Sequence, residues 1–153
     1  MQRNKFQIKR INQKNYHMFD DLIYWRLNGK ERSPEERRKS KKKDHKDDLV
    51  RLSQPNFFNY AVLLEGRFVA WISFFYMPKI GRWNSGVIYV DELWVAPEHR
   101  KKGIGLALME KTFEYKKKTG AEKIRLYTDN VEAKKLFKKC GFKIRGTAFF
   151  MEK

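Results

Sequence analysis

Apolar and polar positions follow two different periods along this chain. Phe6, Ile8 and Ile11 suggest a short first strand. Tyr16, Phe19, Ile23 and Leu27 then recur at helical spacing, with Leu22 widening the stripe, and Asn28-Gly29 stops that helix. Ser33-Pro34-Glu35-Glu36 starts the next one: Ser33 caps it, Pro34 fits the first helical position, and Glu36 completes a capping box. From Arg37 to Asp48 this helix carries no apolar side chain, and only Leu49, Val50 and Leu52 anchor its end. With no stripe to bury, it is expected to be exposed, mobile, or the wall of an open cleft.

After Gln54-Pro55 the period changes. Phe57 to Leu64, Glu65-Gly66, and Phe68 to Met77 read as a hairpin. The second strand is apolar on both alternating sets, so it is expected at the centre of a sheet covered on both faces. Val87 to Ala96 is a third such strand, followed by a loop, Pro97 to Lys102. The helix after it ends near Thr119-Gly120, with Leu108, Met109, Thr112 and Phe113 on its inner face. Lys123 to Thr128 is a further strand. Ala133, Leu136, Phe137 and Cys140 then form an amphipathic stripe closed by Gly141. Phe142 to Ile144 and Ala148 to Met151 complete the chain as a closing antiparallel pair. The order β-α-α-β-β-β-α-β-α-β-β is an α/β fold: a mixed sheet with helices on both faces, in one domain over residues 1–153.

Composition narrows the class. At 153 residues the chain can bury about 70% of the surface its unfolded form exposes. An apolar fraction of 41% excludes a disordered chain. Cys140 is the only cysteine, which excludes an internal disulfide and points to a reducing, cytoplasmic setting. The longest apolar stretch, Phe68 to Met77, is far short of the roughly 20 residues a spanning helix needs, and the N-terminus has no apolar signal region. No membrane partner is expected. The formal charge is +17, and seven of the ten residues from Arg37 to Lys46 are Lys or Arg. Such a protein attracts anions, although a run of this kind is first of all a solvated helix face.

The most informative stretch runs from Leu93 through Trp94, Val95, Ala96-Pro97-Glu98-His99 and Arg100-Lys101-Lys102 to Gly103-Ile104-Gly105. A buried strand leads into a short basic loop, two glycines and a helix. The glycines let the backbone approach a ligand, and the first N–H groups of the helix point at it along the positive end of the dipole. This is an anion site that suits a pyrophosphate. The third glycine of a dinucleotide fingerprint is missing, and no Gly-Lys-Ser/Thr follows.

Arg100-Lys101-Lys102-Gly103-Ile104-Gly105 resembles the acyl-coenzyme A signature of the GNAT superfamily of N-acetyltransferases. Asp129-Asn130-x-x-Ala133-x-x-Leu136-Phe137-x-x-Cys140-Gly141-Phe142 resembles its second signature. The likeness is specific from about Val87 to Phe142. It implies a mostly antiparallel sheet and acetyl-coenzyme A as cofactor. Backbone N–H groups from Lys101 to Gly105 would hold the pyrophosphate, in the basic loop that opens at Arg100. The main chain of Leu93, Trp94 and Val95 would splay from the next strand and pair with the pantetheine arm. Asn130 would contact that arm, with Ala133 and Phe137 beside it. An amine would enter between the first two helices and the splayed strands and attack the thioester directly.

That chemistry needs a neutral amine, and an alkylamine of pKa near 10.4 is less than about 0.1% neutral at pH 7. Asp91 and Glu92 interrupt an otherwise apolar strand and are the candidate bases; burial would raise either toward the useful range. Neighbours on a strand face opposite ways, so only one can easily face the cleft. By the resemblance, relatives acting on polyamines or aminoglycosides carry an acidic residue, often a pair, here, and Asp91 matches the position most often credited. Phe137 departs from the family, where many members have a tyrosine that protonates the leaving thiolate. Tyr127 is the alternative acid. Cys140 reads as core, His99 as a phosphate neighbour, and Trp71, Trp83 and Trp94 as packing that could also stack on substrate. No metal-ligand spacing occurs.

The resulting expectation is an N-acetyltransferase acting on a small-molecule primary amine, polyamine- or aminoglycoside-like or another amine, with a homodimer as the candidate assembly. Acetylation of a protein N-terminus or lysine is the alternative within the enzyme class. A nucleic-acid-binding module using the Arg37 to Lys46 helix, with a vestigial cofactor site, is the alternative outside it. The basic run lacks the interleaved aromatics of a single-strand platform, which counts against that reading.

Overall fold

The computed structural model describes residues 6–81 and 85–153. Strand β1 (Gln7–Arg10) leads into helices α1 (Tyr16–Asn28), α2 (Pro34–Ser40) and α3 (Lys46–Leu52). Strands β2 (Phe57–Leu64), β3 (Arg67–Met77) and β4 (Val87–Val95) follow. A 3-10 turn at Pro97–His99 precedes α4 (Ile104–Thr119), β5 (Lys123–Arg125) and α5 (Val131–Lys139). The sheet order is β1-β2-β3-β4-β5, antiparallel except for the parallel β4–β5 pair.

β3 is the spine, as its unbroken apolar run predicts: Phe68 to Phe74 are all buried. Its alternate residues meet opposite layers. Trp71 packs on Phe19 of α1, with ring centroids 5.6 Å apart, while Phe74 packs edge-on to Tyr115 of α4 at 5.4 Å. The β2–β3 turn has both central residues at positive φ (Glu65 49°, Gly66 78°), the twist that two-residue hairpins favour.

Four expectations need correction. The α1 stripe is rotated: Leu22 and Trp25 are its buried residues, while Leu27 is 77% exposed. Trp25 buries far more area than Leu27 could, and the helix turns to accommodate it. The basic segment is two short helices rather than one. The capping box forms as expected, with Glu36 N–H on Ser33 Oγ at 3.2 Å and Ser33 N–H on Glu36 Oε2 at 2.7 Å. The helix then tightens into i→i−3 bonds at Lys42 and Lys43, and Asp44 accepts Lys46 N–H at 3.0 Å as α3 begins. With no apolar stripe, nothing holds three successive lysines in register. Instead Ser40 is buried and donates to Asp21 at 2.6 Å.

The last two corrections concern the C-terminal third. β5 ends at Arg125 rather than Thr128, because β4 pairs with it only from Val87↔Lys123 to Tyr89↔Arg125. The closing pair at Phe142–Ile144 and Ala148–Met151 is not formed, and residues 143–153 are exposed. A three-residue edge strand is a short template, and a two-stranded hairpin without support is marginal in water.

Candidate active site

The parting of β4 from β5 defines the candidate site. Beyond Tyr89, β4 still pairs with β3 up to Val95, yet its other edge no longer meets β5. The main chain of Leu93, Trp94 and Val95 therefore has no β5 partner on that edge. At its end the chain turns sharply, with Lys101 at φ 59° and Gly103, the N-cap of α4, at φ 79°. Gly103 takes the left-handed conformation at little cost, which explains a glycine there. The first intrahelical bond is from Ala107 N–H to the Gly103 carbonyl at 3.0 Å, so the N–H groups of Ile104, Gly105 and Leu106 precede the ladder.

The loop's own cations stitch it together. Arg100 Nε donates to the Val95 carbonyl at 2.9 Å, and Lys102 Nζ to the Glu98 carbonyl at 2.8 Å. His99 packs edge-on to Trp25, with centroids 6.2 Å apart, and burial, then the nearby Lys102 charge, lowers its pKa. Packing also asks for a small residue at Gly105. A Cβ there would sit 2.9 Å from Leu136 Cδ2, so its Cα faces α5.

Asp91 and Glu92 are separated by an irregularity. Ser73 opposes Glu92 while Phe74 opposes Val90, which leaves Asp91 as the extra residue of a β-bulge. Glu92 turns toward α1, where its Oε1 accepts from Arg26 Nη1 at 3.1 Å. Arg26 lies over the Trp71 ring, 5.1 Å from its centroid. Partial burial of the Asp91 carboxyl, and then the Glu92 charge, raises its pKa from the ordinary aspartate value, although the residue as a whole is exposed.

The remaining sequence candidates divide. Asn130 is the N-cap of α5, its Oδ1 accepting Ala133 N–H at 2.9 Å. The Asn130-x-x-Ala133 spacing is thus a capping pattern before anything else. Phe137 is 7% exposed and packs on Phe142 at 5.9 Å. Cys140 packs against the core, and burial raises its thiol, as a structural cysteine requires. Tyr127 lies beyond the end of β5 and is 76% exposed. Trp71 and Trp94 pack against each other with centroids 5.5 Å apart and rings tilted by 40°, while Trp83 lies outside the described residues.

Sequence reasoning missed Arg26, Arg32 and Ser40. Arg32 donates to Asp20 at 2.5 Å and to Asp21 at 2.8 Å, pinning the α1–α2 loop. The legible signal for Arg26 is its spacing: it stands seven residues after Phe19, on the same face of α1. A cavity of about 270 Å³ lies between α1, α2 and the β2–β3 turn, lined among others by His17, Trp25, Arg32, Arg37 and Arg67. From the basic segment, Arg37, Arg38 and Lys41 line this cavity. Among the described residues no helix is long and apolar enough to cross a membrane, and no cluster of metal-ligating side chains occurs.

Comparison with known proteins agrees with this architecture. An aminoglycoside acetyltransferase from an uncultured soil metagenomic sample superposes with a TM-score of 0.74 at 21% identity, over 97% of this chain and 98% of that one. Aminoglycoside N-acetyltransferase AAC(6')-Iy, in complex with a bisubstrate analogue, gives 0.75 at 14% identity, over 98% and 99%. A ribosomal-protein-alanine N-acetyltransferase from Brucella melitensis biovar Abortus 2308 gives 0.71 at 16% identity, over 96% and 98%. These likenesses establish a shared fold. No curated protein matches the chain. The model of the acetyltransferase (GNAT) family matches residues 19–142, which with the parted strands and the α4 turn places this chain in that family, enzymes that take their acetyl group from acetyl-coenzyme A.

Proposed function

We propose that this protein transfers the acetyl group of acetyl-coenzyme A to a primary amine of a small molecule, by direct attack in a ternary complex. The observation that carries the reading is the open β4 edge ending on the unbonded N–H groups of α4. An extended amide-bearing arm joined to a pyrophosphate needs main-chain donors and acceptors along its length and N–H donors at its end. The residues fit both needs. Leu93 to Val95 would hold the arm, and Lys101 to Gly105 the pyrophosphate. The bound coenzyme supplies the acetyl group as a thioester.

The chain's own contribution is to position the amine and take its proton. Asp91 is suited to this. It is the extra residue of a bulge on β4, and its raised pKa brings it closer to the amine it would deprotonate, directly or through water. Glu92, paired with Arg26, would line the acceptor side. Phe137 provides no acid for the leaving thiolate. With a thiol pKa near 8.5, protonation at pH 7 is worth roughly 1.5 units, or some thirtyfold in rate, so turnover without an acid is tolerable. Several cations of the Arg37 to Lys46 segment are engaged within the chain, Arg37 with Glu31, Lys39 with Glu35, Lys43 with Asp20 and Lys46 with Asp44. This favours a catalytic domain over a nucleic-acid module.

The test is calorimetric titration with acetyl-coenzyme A, followed by thiol release across amines and peptides. Binding together with amine-dependent release is expected. Binding of nucleic acid in a salt-dependent way, with no response to the coenzyme, would overturn the reading.

A further inference from the structure

A carboxylate standing over an aromatic floor is the arrangement that captures an ammonium group. Here Glu92 and Trp71 both meet a single cation position. Trp71 is fully buried and braced by Phe19 and Trp94, at 5.6 and 5.5 Å. The chain fills the arrangement with its own cation, since Arg26 lies 3.1 Å from Glu92 and 5.1 Å from the centre of the Trp71 ring.

The other carboxylates of α1 and the α1–α2 loop are committed as well. Arg32 holds Asp20 and Asp21, and Arg67 holds Glu31 at 2.7 Å. Across the sheet from Glu92, in register, stand Ser73 and Asn59, a neutral pair in which the hydroxyl donates to the amide oxygen at 2.6 Å. Asp91 is the carboxylate at this wall for which the described residues show no ion pair. One carboxylate serves one amine. A polyamine or aminoglycoside brings further ammonium groups, which would meet Arg26 and a chain of net charge +17.

We infer that Arg26 is a specificity-determining residue that restricts the acceptor to amines carrying a single positive charge on a neutral or anionic body. The inference rests on the acetyltransferase reading above. Arg26 repels a second ammonium group, and its planar guanidinium is a ready partner for an acceptor carboxylate. The half-buried Trp94, beside Trp25, gives an aromatic or apolar body a surface to lie on.

The experiment measures thiol release at saturating acetyl-coenzyme A with four acceptors: spermidine, neamine, 2-phenylethylamine and phenylalanyl-glutamate. For the unaltered chain, kcat/KM for the two monoamines is expected to exceed that for the two polycations by about tenfold or more. In Arg26→Gln, KM for spermidine and neamine should fall about fivefold with kcat kept. KM for phenylalanyl-glutamate should rise by a similar factor, and that for 2-phenylethylamine should hold. Arg26→Lys keeps the charge and should restore the original ranking. A polycation preferred by the unaltered chain would overturn the inference while leaving the acetyltransferase reading intact. So would an equal effect of Arg26→Gln on all four acceptors, which a merely structural role produces. If no acceptor elicits thiol release, the acetyltransferase reading fails and the inference falls with it.

Discussion

Gly105 separates two explanations for a small residue in the α4 turn. It is needed either because a ligand approaches its backbone or because α5 does. A Cβ at Gly105 would meet Leu136 Cδ2 at 2.9 Å, against an ordinary carbon–carbon contact of about 3.5–4.0 Å. Alanine requires Leu136 to give by roughly 0.6–1 Å, an overpacking cost at the low end of about 1–3 kcal/mol. Helix propensity returns up to about 1 kcal/mol, so Gly105→Ala should be nearly neutral. Valine adds two methyl groups to the same contact, and Gly105→Val should cost about 2–3 kcal/mol. Leu136→Ala removes the obstruction. Alone it should cost about 1–2 kcal/mol, because Leu136 is only half-buried. The double variant should cost less than the sum of the two by at least about 1 kcal/mol, a coupling expected of side chains in contact. In a chain of this length 1 kcal/mol moves Tm by about 2–4 °C, so urea and thermal unfolding both resolve it. Calorimetry with acetyl-coenzyme A completes the assay. If Gly105→Val keeps its stability but loses the coenzyme, Gly105 serves the ligand and the packing argument is wrong.

Asp91 should trade stability for activity. Its folded pKa is raised, so the stability it contributes is present below the unfolded value near 3.8 and lost as pH rises through the folded one. Asp91→Asn should therefore raise Tm at pH 7, with the difference vanishing near pH 3, while turnover falls more at pH 7 than at pH 9.5; a lower Tm at neutral pH would contradict this. Asn130→Ala should cost about 1 kcal/mol by loss of the α5 cap and Asn130→Ser much less, read by urea unfolding; equal losses would point to a role other than capping. Phe137→Tyr places a hydroxyl among the rings of a buried cluster and should destabilise by about 1–3 kcal/mol; an unchanged Tm with faster turnover would show that the hydroxyl reaches the cleft and acts as the missing acid.

Where local chemistry determines conformation, the sequence was a sufficient guide. The Ser33-x-x-Glu36 box, the Gly29 stop, the Glu65-Gly66 turn and the double-sided apolar run of β3 each formed as read. These signals lie within a few residues of one another, and competing tertiary terms are weak there. The turn at Gly103 was legible for the same reason. The Arg26–Glu92 contact was not. Arg26 reads as an exposed charge near the end of α1, and only the packing of α1 on β3 brings it to Glu92, 66 residues away. The bulge at Asp91 was hidden because it depends on the register of two strands, and alternation along one strand says nothing of its partner. The C-terminal segment failed for the opposite reason. Its alternation is suited to strands, but strand formation there depends on an edge that β5, at three residues, is too short to supply.

That exposed segment bears on how the protein behaves as a colloid. Phe149 is 96% exposed, with Phe150 and Met151 beside it at 86% each, so three successive large apolar side chains lie in water at one end of a cation of charge +17. At low ionic strength the charge keeps copies apart despite the adhesive tip. Salt at about 0.1 M shortens the range of that repulsion to roughly 10 Å, and at 1 M to about 3 Å, while apolar attraction is undiminished. Added salt therefore moves this protein from a repelling to an adhering regime, opposite to a protein held in aggregates by charge pairing. Concentrated stocks are best kept dilute in salt, and fouling should begin at the C-terminus.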